Sequence, residues 1–153
     1  MKIHLALFGV LLAGRLMAAL AVGDVVPVFT AKDQHDKAYV FTNGPTFLIV
    51  ATEMAASKVA NQKLAELGAG YLEKNQAVYV LDIHTMPGVA RLFALPKMRK
   101  YPQRMILVDS AETLAVYPTQ ADRVTVLTLT PDRKIKALHF WDPVHEPLAD
   151  VLK

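Results

Sequence analysis

The sequence predicts one α/β domain, a three-layer sandwich with a central mixed sheet and helices on both of its faces. Three observations predict it. Thr46 to Ala51 and Ala77 to Asp82 are continuous apolar runs of strand length, as expected for strands buried on both faces. Each is followed by a segment of helical character. The chain then closes with a two-strand pattern and a terminal apolar segment, so strands and helices alternate before a hairpin.

Taken in order, Gly23 to Phe29 and Lys37 to Phe41 read as two short strands split by a polar turn, and Gly44-Pro45 punctuates before the first core strand. From residue 54 the period becomes helical. Ala60, Leu64, Leu67 and Tyr71 fall on one face, with Lys58, Asn61, Gln62 and Glu66 around the other. Gly68 and Gly70 end or loosen that helix. After the second core strand come His84 and the turn Met86-Pro87-Gly88, then a helix over Val89 to Met98 that Pro96 should kink or end. Arg104 to Asp109 reads as a third strand, and Val124 to Thr130 with Ile135 to Phe140 as a hairpin. Val144 to Leu152 reads as a short terminal helix.

Residues 1–21 have the layout of an export signal. Lys2 and His4 precede an apolar run over Leu5 to Leu12, and Ala19-Leu20-Ala21 is an A-x-A cleavage site before Val22. The run is short for a membrane span and Arg15 interrupts it; the alternative is an uncleaved anchor or a buried helix. The expected product is a domain over residues 22–153, periplasmic or secreted, that meets a membrane only if the segment is kept. Cleavage would remove Lys2 and Arg15 from 17 basic residues and leave 15 against 14 acidic ones. The mature chain would then be near neutral, which disfavours nucleic acid as a partner, since no broad positive surplus remains to neutralise phosphates. The sequence has no cysteine, so an exported domain would rest on packing without disulfides.

The stretch that bears most on function is Phe47-Leu-Ile-Val-Ala-Thr-Glu-Met-Ala-Ala-Ser-Lys58, a buried strand leading through a turn into an amphipathic helix. It resembles a thioredoxin active site in which Met54-Ala55-Ala56-Ser57-Lys58 stands where a redox enzyme has Cys-x-x-Cys-Lys. That chemistry needs a thiolate, which a helix N-terminus helps to stabilise. Neither a thioether nor an alcohol replaces it at neutral pH. The element order resembles the thioredoxin-like superfamily, and its peroxiredoxin-type branch in particular. Gly23 to Phe29 looks like the usual entry to such domains, and Thr128 to Ile135 like their late hairpin, with Arg133 where a turn glycine is common. The chain is also similar to the exported YtfJ-like proteins, a poorly characterised thioredoxin-fold group. That likeness rests on Lys58-Val-Ala-Asn61, Met86-Pro-Gly88, Lys100-Tyr-Pro102, Val108-Asp-Ser110 and the hairpin near 124–137. The chain is shorter than expected for that group between residues 30 and 48 and between 82 and 100.

The resemblance implies fold and compartment more than a reaction. It places the usual cis-proline of the late strand near Val124, with Pro102 as the alternative, and a trans bond is expected before a non-proline residue there. Met54 and Ser57 are then vestigial redox positions, and Glu53, Lys58, Asp82 and Val124 outline the cleft. Strand ends that lead into helices often bind ligands in α/β folds. Ser57 is also a natural helix cap and Lys58 a solvated first-turn residue, and no base is visibly paired with the serine.

Asp82 and His84 alternate at a strand end, and with His139, Asp142 or His145 could gather around a metal, although no recognised ligand spacing is present and no metal site is expected. Lys97, Arg99, Lys100 and Arg104 cluster around Tyr101 as a charged face that an acidic partner or a membrane surface could meet. Phe140 and Trp141 are either an exposed aromatic edge or packing for the last helix. No phosphate-binding loop, nucleophile elbow or dinucleotide fingerprint occurs, so no cofactor is expected. The leading expectation is a redox-inactive exported domain that binds another envelope protein or a small ligand. The alternative is a cysteine-independent enzyme using the vestigial cleft.

Overall fold

The computed structural model describes residues 18–153. Its core is a seven-stranded mixed sheet built from β1 (Phe29–Asp33), β2 (Ala38–Phe41), β3 (Phe47–Ala51), β4 (Ala77–Asp82), β5 (Ile106–Val108), β6 (Val124–Leu129) and β7 (Ile135–Trp141). The strands lie in the order β2-β1-β5-β4-β3-β6-β7. β3, β4 and β5 run parallel, while β6 pairs antiparallel with β3 and hairpins into β7. β3 is therefore interior, and all five of its residues are buried, which is why its sequence is apolar without alternation.

Strand alternation divides the core into two layers. Phe47, Ile49, Ala51, Tyr79, Leu81, Leu107, Val124, Val126 and Trp141 face one side. That layer is covered by α1 (Met54–Leu67), α2 (Tyr71–Lys74), α3 (Gly88–Met98) and α5 (Leu148–Val151). Leu48, Val50, Val80, Ile106, Val108, Leu127 and Ile135 face the other side, covered by α4 (Ala111–Ala115) and the entering segment around Val26. The predicted sandwich is thus present, with a much thinner second helical layer.

Several local expectations change. Gly23–Phe29 is not a strand: its strand-type pairing is a single bridge, Val25 to Lys134, flanked by bonds of Gly23 N and Asp24 O to Ile135, and β1 begins at Phe29. Asn61 belongs to the buried face of α1, because its side-chain oxygen accepts from the Tyr79 hydroxyl at 2.7 Å and its carbonyl from Gln103 at 2.9 Å. Leu67 is exposed instead, since the helix ends there and Gly68 takes a positive φ of 92°. α3 continues through Pro96, whose missing N–H falls in the last turn, and the helical bonding resumes after it, with Arg99 N on Leu95 O at 3.1 Å. The predicted terminal helix shrinks to α5. Pro143 and Pro147 break residues 142–147 into turns pinned by Asp142, whose Oδ1 accepts from Val144 N at 2.9 Å.

Arg133 takes the place of the hairpin glycine with φ 67°. Its Nε donates to the Val26 carbonyl at 2.9 Å and a guanidinium N–H donates to Asn43, so tertiary bonds offset a conformation that L residues disfavour. The proposed signal over residues 1–21 lies largely outside the described residues. Of its last four, Leu20 packs against the second core layer and donates to Val116 O at 2.7 Å. Among the described residues, no helix is long and apolar enough to cross a membrane.

Candidate functional site

The C-terminal ends of β3, β4 and β5 lead into the polar turns before α1, α3 and α4, so the fold brings 52–54, 82–88 and 109–111 to one rim of the sheet. The start of β6 joins them, because Val50 pairs with Thr125. Val124 therefore flanks the α1 turn, whereas Pro102 precedes β5, two strands from β3. Among the described residues no peptide bond is cis.

Met54 opens α1 and is 74 % exposed, while Ser57, one turn later, is 8 % exposed. The two positions share a helix face, so the difference lies along the axis: Met54 stands at the open N-terminal end of α1, and Ser57, one turn further in, is packed over the sheet. Ser57 does not cap the helix. Its Oγ donates to the Glu53 carbonyl at 2.6 Å, a bond along the helix that satisfies a buried hydroxyl. Glu53 is the N-cap residue without a side-chain cap bond, and its Oε2 accepts instead from Asp122 N at 2.9 Å. This contact ties the α1 turn to the loop before Val124. Val124 itself is fully buried in the core and supplies no polar group. Lys58 is exposed on the outer side of the first turn.

Asp82 stands one strand away from the turn, and its Oδ1 accepts from His84 N at 2.8 Å and lies 2.7 Å from His84 Nδ1. As a carboxylate oxygen it takes the Nδ1–H and leaves Nε2 unused by this pair. The metal grouping considered from sequence does not form. β3 and β6 separate β4 from β7, which puts Asp82 and His84 about 14 Å from the strand carrying His139. His139 instead faces Glu146 at 2.9 Å, and His145 faces Asp142 at 2.9 Å. Among the described residues no group of three metal-binding side chains gathers.

Arg91 is the organising residue that sequence reasoning missed. From α3 it donates to Asp109 through Nη1 at 2.6 Å and Nη2 at 2.7 Å, to Ile83 O at 2.7 Å and to Met86 O at 3.0 Å. It thereby fastens the ends of β4 and β5 to the first turn of α3. The two-pronged bond holds the Asp109 carboxyl below the usual carboxylate range, against a smaller upward push from burial. In sequence Arg91 is one more cation on a helix, and only the proximity of two strand ends gives it a role.

The basic cluster is also divided. Arg99 binds Asp36 at 2.7 Å and the Gln34 carbonyl at 2.9 Å, and Arg104 binds Asp33 at 3.0 Å while lying over the Tyr39 ring. These two arginines clamp the β1–β2 hairpin; Lys97 and Lys100 remain exposed. Trp141 is fully buried and donates from Nε1 to Glu146 O at 2.9 Å, so it packs the chain end and presents no aromatic edge. Shallow cavities lie elsewhere among the described residues. One of about 300 Å³ is lined by Leu67, Trp141, Val144 and Leu148 among others, between α1 and the 143–149 segment.

No family model and no curated protein matches the chain. Solved structures do. A Chlorobium tepidum protein assigned as the thiol:disulfide interchange protein DsbE superposes with a TM-score of 0.63 at 11% identity, over 88% of this chain and 96% of that one. A peroxiredoxin-like protein from Aquifex aeolicus gives 0.57 at 13% identity, over 88% and 85%. The mitochondrial 2-cys peroxiredoxin of Plasmodium falciparum gives 0.57 at 11% identity, over 86% and 90%. Likeness at these identities establishes the fold, which is thioredoxin-like, in a chain that contains no cysteine.

Proposed function

We propose that the chain is an exported, redox-inactive thioredoxin-like domain that binds another envelope protein or a small ligand, as an accessory and not a catalyst. One observation carries the reading: the α1 turn keeps an exposed first position and a buried fourth, and fills them with a thioether and an engaged hydroxyl. The framework that presents a reactive sulfur is retained without the sulfur. Met54 and Lys58 then act as contact residues, since a thioether adapts to varied apolar surfaces and the lysine stem adds reach. The motifs shared with the YtfJ-like exported proteins, together with the signal layout of residues 1–21, support an envelope location. A photoreactive residue at position 54, activated in intact envelopes, should capture one discrete partner. A chain that stays free of adducts under those conditions argues against the turn as a contact surface.

A cysteine-independent enzyme is the second reading, and the contact between Asp82 and His84 favours it. A carboxylate that fixes one imidazole nitrogen leaves the other oriented as a general base. Turnover of simple ester or phosphoester substrates that His84→Asn abolishes would support it; absence of turnover between about pH 5 and 8 would end it.

A further inference from the structure

We infer that α3 docks the domain onto an anionic lipid surface, a property of a different face from the α1 turn and independent of what that turn binds. α3 is apolar nearly all round. Ala94, Leu95 and Met98 point to the core, and Arg91 is drawn down to the strand ends. The opposite stripe carries Val89, Leu92 and Phe93, exposed by 71%, 73% and 68%, with Pro96 exposed one turn on. At about 100° per residue these four lie within a quarter-turn or so of one another, so they form one contiguous ridge. A helix that is apolar on every side ordinarily has a cover on every side.

The charge around the ridge says what the cover is. Residues 88–100 contain four cations and no acid. Arg91 and Arg99 are engaged by carboxylates, which leaves Lys97 and Lys100, both exposed, at the C-terminal end of the ridge. Protruding leucine and phenylalanine side chains bordered by unengaged lysines suit insertion just below a layer of negative headgroups. Val89, Leu92 and Phe93 are each about 70% exposed, so their side chains stand out from the surface as an inserting ridge requires.

Flotation of the full-length chain with phosphatidylcholine vesicles, with and without phosphatidylglycerol, at low and high salt, tests the inference. The protein should float with the anionic vesicles, and salt should weaken binding. Both L92S/F93S and K97E/K100E should reduce the bound fraction at least about tenfold. V40S, at an exposed apolar residue of β2 outside the ridge, should leave it unchanged. The substituted side chains are exposed, so an unaltered circular dichroism melt accompanies the loss. Equal flotation of wild type and both α3 variants would assign binding to another segment and overturn the inference. So would absence of binding to anionic vesicles, or a wild-type dimer that L92S/F93S dissociates, which would make a second copy the cover.

Discussion

The α1 turn and the outer ridge of α3 lie on the same side of the sheet and have opposite characters. At the turn two polar side chains are engaged within the chain: the Ser57 hydroxyl on the Glu53 carbonyl, and one Glu53 carboxylate oxygen on Asp122 N. On α3 the inner face is engaged, by core packing and by Arg91, while the outer face has three large apolar side chains in solvent. The comparison teaches that the polar side chains at the start of α1 brace the fold, while Met54 above them stays open to solvent. Met54 and Lys58 stay exposed at the turn, so exposed apolar surface is divided between its first position and the ridge of α3.

The largest expected effect separates the two helices most sharply. Leu64→Ala, at a fully buried position on α1, should cost about 2–5 kcal/mol, whereas Leu92→Ala on α3 should change stability by less than about 0.5 kcal/mol. Urea denaturation of both variants measures the contrast. Similar losses at the two sites would mean that Leu92 is covered.

The hairpin that Arg99 and Arg104 clamp gives the next effect. Burial pushes the Asp33 carboxyl up, but bonds from His35 N, Lys37 N and Arg104 together hold it below its ordinary value. A carboxyl depressed in the folded state contributes stability above its unfolded pKa, and that contribution is lost as pH falls through the folded pKa. Asp33→Ala should therefore destabilise by about 2–3 kcal/mol at neutral pH. The gap to wild type should narrow as pH falls below about 4. Melting temperatures from neutral to strongly acid pH give the readout.

Removing the strap between the α1 turn and the loop before β6 is a smaller change. Glu53→Ala should cost about 1 kcal/mol, because one exposed charge-assisted bond to Asp122 N is lost. Amide exchange at Asp122 should accelerate, while exchange in α3 stays as it was.

The parts of this arrangement that are legible in the sequence are those set by local pattern. β3 and β4 are apolar on both faces because the sheet buries both, and their order with the hairpin implies the sandwich. The start of α1 at Met54 follows from the change from strand to helical period. Long-range pairing hides the rest. Asn61 looks solvated until Tyr79 and Gln103 meet it, and Arg91 looks like a surface cation until Asp109 does. α4 has only five residues and depends on Ser110 accepting from Thr113 N, too little periodicity to detect. The Phe29-to-Phe41 stack and the bonds from Arg133 set the entry segment, where local pattern instead implied an extra strand.

The most direct test of the claim that residues 54–57 retain thioredoxin geometry without its sulfur is to restore the sulfur. In M54C/S57C the exposed thiol at the first position of a 14-residue helix should titrate within about 3.5–7.5, below the ~8.5 of a free cysteine. Under mild oxidation the two introduced thiols should close an intramolecular disulfide, and the reduced form should reduce a protein disulfide that the native chain leaves untouched. A thiol at position 54 that titrates like a free cysteine and forms no bond to the one at position 57 would contradict the account.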